Sequence, residues 1–442
     1  MRCATWWQVL LALSAHSLAQ AIVPTICEEK YCECDSFTRV ICNCAENNEQ
    51  EVTLRPDGAY RVPSTASAII VNSCNRVQFL SDTARDLIHL RTVEVRGCNH
   101  VVINERALAW SPFPREAEMN PGLRISIHNS TVNEISSHAI QGRVDDIIIT
   151  GSRINNLKPF AFSSLIGVKN VELIDNVYDT IEIQPFKKFT TINFIMRGGN
   201  IGTLPSRFLS NVDVTDLFQM EYVTINNINS LTFLVNSPKR VVIEGNVIGT
   251  LEGDGFHILT RGPITFRNNT VKTVARGAFL GFSSDWKLVS VTGRQELLID
   301  NNTLGELVPS ALIYNSTTLS MRIDSLNLNE TCTCDLAEGW REILNVQSGA
   351  IMCWYYLENH YVSLRTFVDS RCGEFKQTFW IYVVIGIVLA AIVAAVITVI
   401  IVRRENEKKK NKIQIVLPDG KTYRETEVHI IVERAELLST DF

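Results

Sequence analysis

The stretch "PITFRNNTVKTVARGAF", residues 263–279, begins like a strand and then meets two asparagines. Ile264 and Phe266 alternate with other residues, as apolar residues do in a half-buried strand. Asparagine is poor in a strand interior, so Asn269 either lies in a loop or has a structural task. If Asn269 has a structural task, the same arrangement should recur along the chain. We therefore use Asn269 as a marker position from which other residues are counted.

The arrangement recurs ten times. Each copy has apolar residues five and three positions before the marker, and most copies have further apolar residues two, five and ten positions after it. The ten markers are Cys74, Cys98, Ser130, Ser152, Asn176, Gly199, Val223, Asn246, Asn269 and Asn302. Seven of the nine spacings are 22 to 24 residues, and all twenty residues at minus five and minus three are apolar. This period predicts a solenoid in which each coil contributes one short strand to a parallel sheet.

The marker side chain is predicted to face inward at the turn that follows the strand. An asparagine there can bond backbone groups of neighbouring coils that have no partner in a strand ladder. The aromatic residue ten positions after the marker is predicted to fill the convex side of the core; these residues are Phe162, Phe186, Phe233, Phe256 and Phe279. The two longer spacings, 32 and 33 residues, coincide with residues 110–122 and 283–295, which we interpret as loop insertions.

The pattern resembles the leucine-rich repeat, whose strand motif LxxLxLxxNxL has Asn or Cys at the marker. "CEEKYCECDSFTRVIC", residues 27–42, is similar to the N-terminal cap of extracellular leucine-rich repeat proteins. "CTCDLAEGWREILNVQSGAIMC", residues 332–353, followed by Cys372, is similar to their C-terminal cap. The resemblance covers residues 27–372 and departs from the family pattern in its scarce leucine.

Disulfide pairing is open from sequence alone. The resemblance implies the bridges Cys27–Cys34, Cys32–Cys42, Cys332–Cys353 and Cys334–Cys372. Cys44 is then the expected unpaired cysteine, and Cys74 and Cys98 are expected to be buried thiols, because cysteine is an accepted marker residue in this family.

The two ends of the chain predict a type I single-pass membrane protein. Residues 1–21 join an apolar run to small residues, as secretory signal peptides do. Residues 379–402 carry no charge over 24 positions, which is enough for a helix to cross a bilayer. The basic residues that follow predict a cytosolic C-terminus and an extracellular N-terminus at the plasma membrane. An exported ectodomain is expected to form disulfides.

The predicted fold class is an α/β-type solenoid dominated by a parallel β-sheet, with a right-handed parallel β-helix as the alternative. The predicted domains are a signal peptide (1–21), an N-terminal cysteine-rich cap (22–51), a leucine-rich repeat solenoid of about ten coils (52–325), a C-terminal cysteine-rich cap (326–376), a transmembrane helix (377–402) and a cytoplasmic tail (403–442).

A protein partner is expected on the sheet. In a leucine-rich repeat, residues six, four and two positions before the marker project from the concave face. In the central coils these positions mix aliphatic and charged residues, a common interface composition. The predicted partner-binding residues are Ile148, Glu172, Ile174, Ile195, Arg197, Val242 and Glu244.

Five sequons predict N-linked glycans, at Asn129, Asn268, Asn301, Asn315 and Asn329. The first three occupy one column, directly before the marker. Glycans there would crowd both ends of the array and leave the coils between about 146 and 245 open. The sequence therefore favours a cell-surface recognition protein, either a receptor or an adhesion molecule.

Other function classes receive less support. A net charge of −5 gives no basic field for nucleic acid. No catalytic, cofactor-binding or metal-binding residue is predicted, and no enzymatic activity is expected. A β-helix enzyme acting on polysaccharides would require clustered acidic residues on one strand face. Asp145-Asp146 is an acidic pair, but it does not recur in the exposed columns.

The tail carries three short signals. "NKIQIVLPDGKTYRETEVHIIV", residues 411–432, predicts a hairpin around a Pro-Asp-Gly turn. "ERAELL" matches the acidic dileucine form used for adaptor-mediated sorting, through Glu433, Leu437 and Leu438. The last three residues resemble a PDZ-domain ligand. A sorting co-receptor that cycles through endosomes or lysosomes is therefore an alternative function.

Overall fold

The structure is a computed structural model of the chain, and it describes residues 23–36, 38–44, 50–110, 121–307, 310–340, 350–372, 375–410, 415–416 and 422–423. The predicted signal peptide and most of the first predicted insertion lie outside these residues. The chain divides into two compact units, Met1–Phe367 and Val368–Phe442. The described part of the first unit is a parallel β-solenoid of about 12 turns, two more than the sequence predicted.

Two large sheets build the solenoid. Among the described residues, sheet 1 contains eighteen strands: Cys32–Asp35, Arg39–Asn43, Ala68–Asn72, Thr92–Arg96, Leu108–Trp110, Leu123–His128, Ile140–Thr150, Phe162–Ile166, Val168–Ile174, Phe186–Arg197, Leu209–Glu221, Phe233–Asn236, Arg240–Glu244, Phe256–Thr260, Ile264–Arg267, Phe282–Ser284, Gln295–Asp300 and Leu319–Ile323. Sheet 2 contains fourteen: Glu51–Leu54, Arg76–Phe79, His100–Ile103, Thr131–Ile135, Arg153–Leu157, Val177–Ile181, Asn200–Leu204, Thr224–Ile228, Val247–Leu251, Thr270–Val274, Asn302–Leu307, Leu326–Thr331, Ile351–Tyr355 and His360–Ser363.

A single coil alternates between the sheets. Arg240–Glu244 lies in sheet 1, Val247–Leu251 in sheet 2 and Phe256–Thr260 again in sheet 1, before Ile264–Arg267 begins the next coil. Two or three strand segments per coil replace the single strand that the sequence predicted. The apolar residues at plus two and plus five, which lie three positions apart, belong to the sheet 2 strands. Because that spacing is odd, the two residues do not follow the alternation of apolar and polar residues in a half-buried strand. A search for alternating residues therefore does not find this strand.

The predicted α/β character is wrong for the described solenoid, which is mostly sheet with little helix. In the described coils a strand of sheet 2 follows the first strand of sheet 1. The second predicted loop insertion is partly helical, because Trp286–Thr292 forms a short helix whose N-cap Asp285 accepts a hydrogen bond from the Lys287 N–H. The other helices with described bounds are Ile26–Glu28 (3₁₀), Cys334–Gly339, Leu364–Phe367, Val368–Cys372 (π) and Phe375–Lys410.

The core contains the residues that the repeat pattern predicted to be buried. All twenty residues at minus five and minus three are at most 3% exposed. The phenylalanine column is buried as predicted. Phe162 stacks on Phe186 at 4.5 Å, and Phe233 stacks on Phe256 at 5.1 Å between ring centroids. Stacking in register between coils adds specific aromatic contacts to the burial of apolar area.

The polar marker side chains lie inside the solenoid and form a ladder of hydrogen bonds between coils. This ladder confirms the structural task predicted for Asn269. The Asn269 side chain accepts from the backbone N–H of Asn246 (3.0 Å) and donates to the carbonyl of Ile243 (2.9 Å). Asn302 repeats both bonds one coil later, to Asn269 and Phe266. Ser130, Ser152 and Asn176 play the same role in the N-terminal coils.

The ladder is interrupted at Gly199 and Val223, which carry no polar side chain. Aromatic rings pack through these coils, with Phe194 and Phe218 stacked at 5.9 Å and Phe208 edge-on to Phe233 at 6.0 Å. Apolar contacts therefore join the coils where the amide contacts are missing.

Disulfides close both ends of the solenoid. The structure contains Cys27–Cys34, Cys32–Cys42 and Cys332–Cys353, which are pairs that the family resemblance implies. Cys334 and Cys372 are also disulfide-bonded. Cys44 is not the unpaired cysteine, because it is bridged to Cys74 across 30 residues. Among the described cysteines Cys98 is the free one, and it is buried as predicted.

The second unit contains the apolar helix. Phe375–Lys410 is helical, and its stretch from Phe379 to Lys409 is long and apolar enough to cross a membrane. In the tail, Ile415 pairs with Tyr423 and Val416 with Thr422 in an antiparallel ladder, as in the predicted hairpin. The sorting residues Glu433, Leu437 and Leu438 and the C-terminal PDZ-type ending lie outside the described residues.

Candidate functional site

The candidate site is the outward side of sheet 1 between residues 146 and 244, which we call the central face. Its residues lie six, four and two positions before the markers. Alternation along each strand turns these side chains outward while the minus-five and minus-three residues face the core. Nearly all of them are half-buried or exposed, as expected for one face of a sheet that is open to solvent.

The predicted partner-binding residues fall in two adjacent rows. In the minus-four row, parallel register places Ile148 beside Glu172, Glu172 beside Ile195, Ile195 beside Gln219 and Gln219 beside Val242. In the minus-two row, the order is Thr150, Ile174, Arg197, Glu221 and Glu244. Neighbours in a row are one strand spacing apart, about 4.8 Å. The structure therefore brings all seven residues together on one surface.

Two ion pairs lie at the charged end of the minus-two row. Arg197 Nε lies 3.1 Å from Glu221 Oε2, and Arg267 Nη2 lies 2.6 Å from Glu244 Oε2. The hydrogen bond to Glu244 raises the pKa of the Arg267 guanidinium. Glu244 is only 8% exposed, so the prediction that it projects freely from the face is wrong. Its carboxylate holds Arg267, whose side chain is 47% exposed.

Three residues of the minus-six row, Asp146, Asn170 and Asn193, form a polar ladder. Asn170 Nδ2 donates to Asp146 Oδ1, and Asn193 Nδ2 donates to Asn170 Oδ1, each at 2.9 Å. The neighbouring Asp145 is buried and accepts from Lys169 Nζ at 2.8 Å, a bond that raises the pKa of the lysine. Both members of the acidic pair noted in the sequence are thus bonded to the next coil.

A turn with left-handed backbone borders the central face at the position before each marker. Here φ lies between 46° and 66° in all ten coils. Gly151 and Gly198 allow close approach of the preceding coil, because a Cβ would lie 2.5 Å from Asn129 Oδ1 and 1.9 Å from Asp175 Oδ1 respectively. Asparagine tolerates this conformation better than most other residues. Four of the ten positions hold Asn or Asp, namely Asn129, Asp175, Asn268 and Asn301.

Three predicted glycan sites occupy this edge. Asn129, Asn268 and Asn301 are all exposed, and Asn301 Nδ2 donates to Asn268 Oδ1 at 2.8 Å. Asn329 is exposed and Asn315 is half-buried. The exposed sites at the edge flank the central face along the chain, in the arrangement that the sequence predicted.

Tyr222 is a surface residue that sequence reasoning missed. It occupies the left-handed turn position with φ of 54°, and its side chain is 62% exposed. Its ring lies over Gly245, where a Cβ would come within 2.5 Å of the ring carbons. The available signal was an aromatic residue in a column that otherwise holds Gly, Asn, Asp and Ser. Exposed tyrosine is enriched among residues that dominate binding energy at interfaces.

Comparison with known proteins assigns this chain to no family. No protein-family model matches the chain, and no curated protein matches it. Within the described residues, no group of three His, Cys, Asp or Glu side chains is arranged to hold a metal ion.

Proposed function

We propose that this protein is a cell-surface recognition protein, a receptor or adhesion molecule of the cysteine-capped leucine-rich repeat type. Its central face binds a protein partner, and its single apolar helix anchors it in the plasma membrane with the solenoid outside. The tail then supplies adaptor or scaffold contacts in the cytosol.

The two rows of the central face are the observation that carries this proposal. They place Ile148, Ile174, Ile195 and Val242 within a few strand spacings of one another, beside charged side chains. In the minus-four row the aliphatic residues alternate with Glu172 and Gln219, and ion pairs lie in the neighbouring row. Protein interfaces likewise combine apolar, polar and charged groups. A sheet held in register by buried ladders also presents a preorganised surface, which lowers the entropic cost of binding.

Separate features support an extracellular solenoid with a membrane anchor. The solenoid contains disulfides, which persist in exported proteins and are rare in the cytosol. The apolar helix is followed directly by Arg403 and Arg404, a charge arrangement that favours a cytosolic C-terminal side. An extracellular solenoid with a membrane anchor is the usual arrangement for recognition of other proteins, and this part of the proposal is an analogy of fold.

The test is a binding screen followed by substitution. Full-length protein displayed on cells is exposed to a library of secreted and surface proteins, and each binder is then measured against Ile174→Arg and Ile195→Arg. An arginine in a desolvated apolar contact should weaken binding at least about tenfold, which corresponds to about 1.4 kcal/mol.

The control is Ile183→Arg, because Ile183 is 59% exposed and lies outside the central face. Normal surface display of each variant shows that it folds. Unchanged binding of every partner by displayed Ile174→Arg and Ile195→Arg would reject the central face as the binding surface.

A further inference from the structure

The C-terminal cap carries an exposed aromatic hairpin tip. Strands Ile351–Tyr355 and His360–Ser363 pair antiparallel, with Tyr355 opposite His360. The four residues between them form the tip, at which Tyr356 is 77% exposed and Leu357 is 75% exposed. Two adjacent large side chains are thus presented to the surroundings at the end of a hairpin.

The tip has a defined conformation. The Asn359 N–H donates to the Tyr355 carbonyl at 2.9 Å, and Asn359 adopts a left-handed φ of 54°. Below the tip, the Trp354 and Tyr361 rings meet edge-on at 5.1 Å, and Tyr355 packs against Phe367 at 5.7 Å. These contacts fix the hairpin, so the exposure of Tyr356 and Leu357 is a feature of the folded cap.

The chemistry of the tip suits the surface of a bilayer. Tyrosine has an apolar ring and a polar hydroxyl, and it is enriched at membrane–water interfaces for that reason. Leu357 adds an apolar side chain beside it. Glu358, the one acidic residue of the tip, has its Oε2 3.4 Å from Nε2 of His360. The tip therefore carries one carboxylate, which can stay among the polar headgroups while Tyr356 and Leu357 enter the interface.

Eleven residues separate the cap from the apolar span. Residues 368–378 connect Phe367, which packs on the hairpin, to Phe379 at the start of the apolar span. A fully extended connection of this length reaches about 40 Å. Val368–Cys372 is helical, which shortens that reach. The connection therefore limits the distance between Phe367 and Phe379 to less than about 40 Å.

We propose that Tyr356 and Leu357 insert into the headgroup region of the outer leaflet and hold the C-terminal cap on the membrane. The ligand is a lipid surface, and phosphatidylcholine is the probe. The inference depends on the membrane anchoring proposed above, but not on the central face or its partner.

The test places a photo-crosslinker at the tip. Full-length protein carrying Tyr356→p-benzoylphenylalanine is reconstituted in phosphatidylcholine vesicles and irradiated, and its peptides are analysed by mass spectrometry. We expect a phosphatidylcholine adduct on the peptide that contains position 356. Leu357→p-benzoylphenylalanine gives a second reading from the neighbouring side chain.

The matched control is Tyr222→p-benzoylphenylalanine, because Tyr222 is a comparably exposed tyrosine of the solenoid, at 62%. Lipid adducts at 356 and 357 but not at 222 support the inference. Adducts at none of the three, adducts only to protein, or equal lipid adducts at 222 overturn it.

Two further measurements separate the causes of failure. Mapping of the Cys332–Cys353 bridge confirms that the cap is folded in each variant. Resistance to alkaline carbonate extraction tests the anchor itself. If the protein is extracted, the membrane anchoring fails and the inference fails with it. If the protein stays integral and the bridge is intact without lipid adducts at the tip, the inference alone is wrong.

Discussion

The side-chain amides of Asn246 and Asn269 lie one coil apart and are joined by a hydrogen bond of 2.9 Å from Nδ2 to Oδ1. Both residues are at most 1% exposed, so no bulk water competes for these groups. Each amide also satisfies a backbone group of a neighbouring coil. A buried polar network that is fully satisfied stabilises one register of the coils and penalises slippage.

Replacing Asn269 by alanine should destabilise the solenoid by about 2–5 kcal/mol, because it leaves the Asn246 N–H and the Ile243 carbonyl buried without these partners. The measurement is urea unfolding of the detergent-solubilised protein, followed by circular dichroism. Asn200→Ala is the control, since Asn200 is exposed and its loss should cost less than about 0.5 kcal/mol. Equal stability of the two variants would show that the ladder contributes little.

The Cys44–Cys74 bridge should stabilise the N-terminal end. It closes a separation of 30 residues, for which removal of a disulfide typically costs about 2–4 kcal/mol. We expect Cys44→Ala/Cys74→Ala to unfold at correspondingly lower urea. Cys98→Ser is the comparison, because serine occupies the same marker position at Ser130 and Ser152. A larger loss from Cys98→Ser than from the double variant would contradict this expectation.

The Cys98 thiol should be unreactive in the folded protein. Burial raises the pKa of this thiol, and the thiolate is the nucleophilic form. Alkylation should therefore be slow at neutral pH and should accelerate only above the pH range in which an exposed thiol titrates. Mass spectrometry after iodoacetamide treatment, with and without urea, measures this. Rapid labelling of Cys98 at pH 7 under native conditions would disprove its burial.

The Arg267–Glu244 pair should matter more than the Arg153–Asp179 pair. The Glu244 side chain is 10% exposed, whereas that of Asp179 is 36% exposed. Loss of Arg267 leaves a nearly buried carboxylate without its closest cation, so Arg267→Ala should cost about 1–3 kcal/mol. Arg153→Ala should cost about 0–1 kcal/mol, as exposed ion pairs do. Thermal unfolding of both variants decides between this order and its reverse.

Much of sheet 1 could be predicted from the sequence, because each of its main strands carries strictly alternating apolar residues next to a recognisable marker. Sheet 2 could not. Val271 and Val274, for example, lie three positions apart in Thr270–Val274, where the pattern of a strand requires two or four. Their burial was predictable, but the strand that contains them was not.

The bridge between Cys44 and Cys74 could not be predicted from the sequence either. Cys74 fits the marker column, where cysteine needs no partner, and Cys44 follows a cap whose other cysteines already pair. Only the register of Arg39–Asn43 beside Ala68–Asn72 shows that the two residues meet. The exposed rows were predictable because they follow from alternation alone. The burial of Glu244 was not, since it depends on the length and direction of the arginine from the next coil.

The two interrupted positions of the asparagine ladder bear on how the molecule responds to tension. Each coil of a solenoid contacts only its neighbours, so mechanical resistance is set locally. At Gly199 and Val223 aromatic rings pack in place of side-chain amides, and strands Phe186–Arg197 and Leu209–Glu221 also pair there along ten residues. Force applied along the solenoid should therefore be resisted at these two coils by the backbone ladder and the packed rings, without an asparagine.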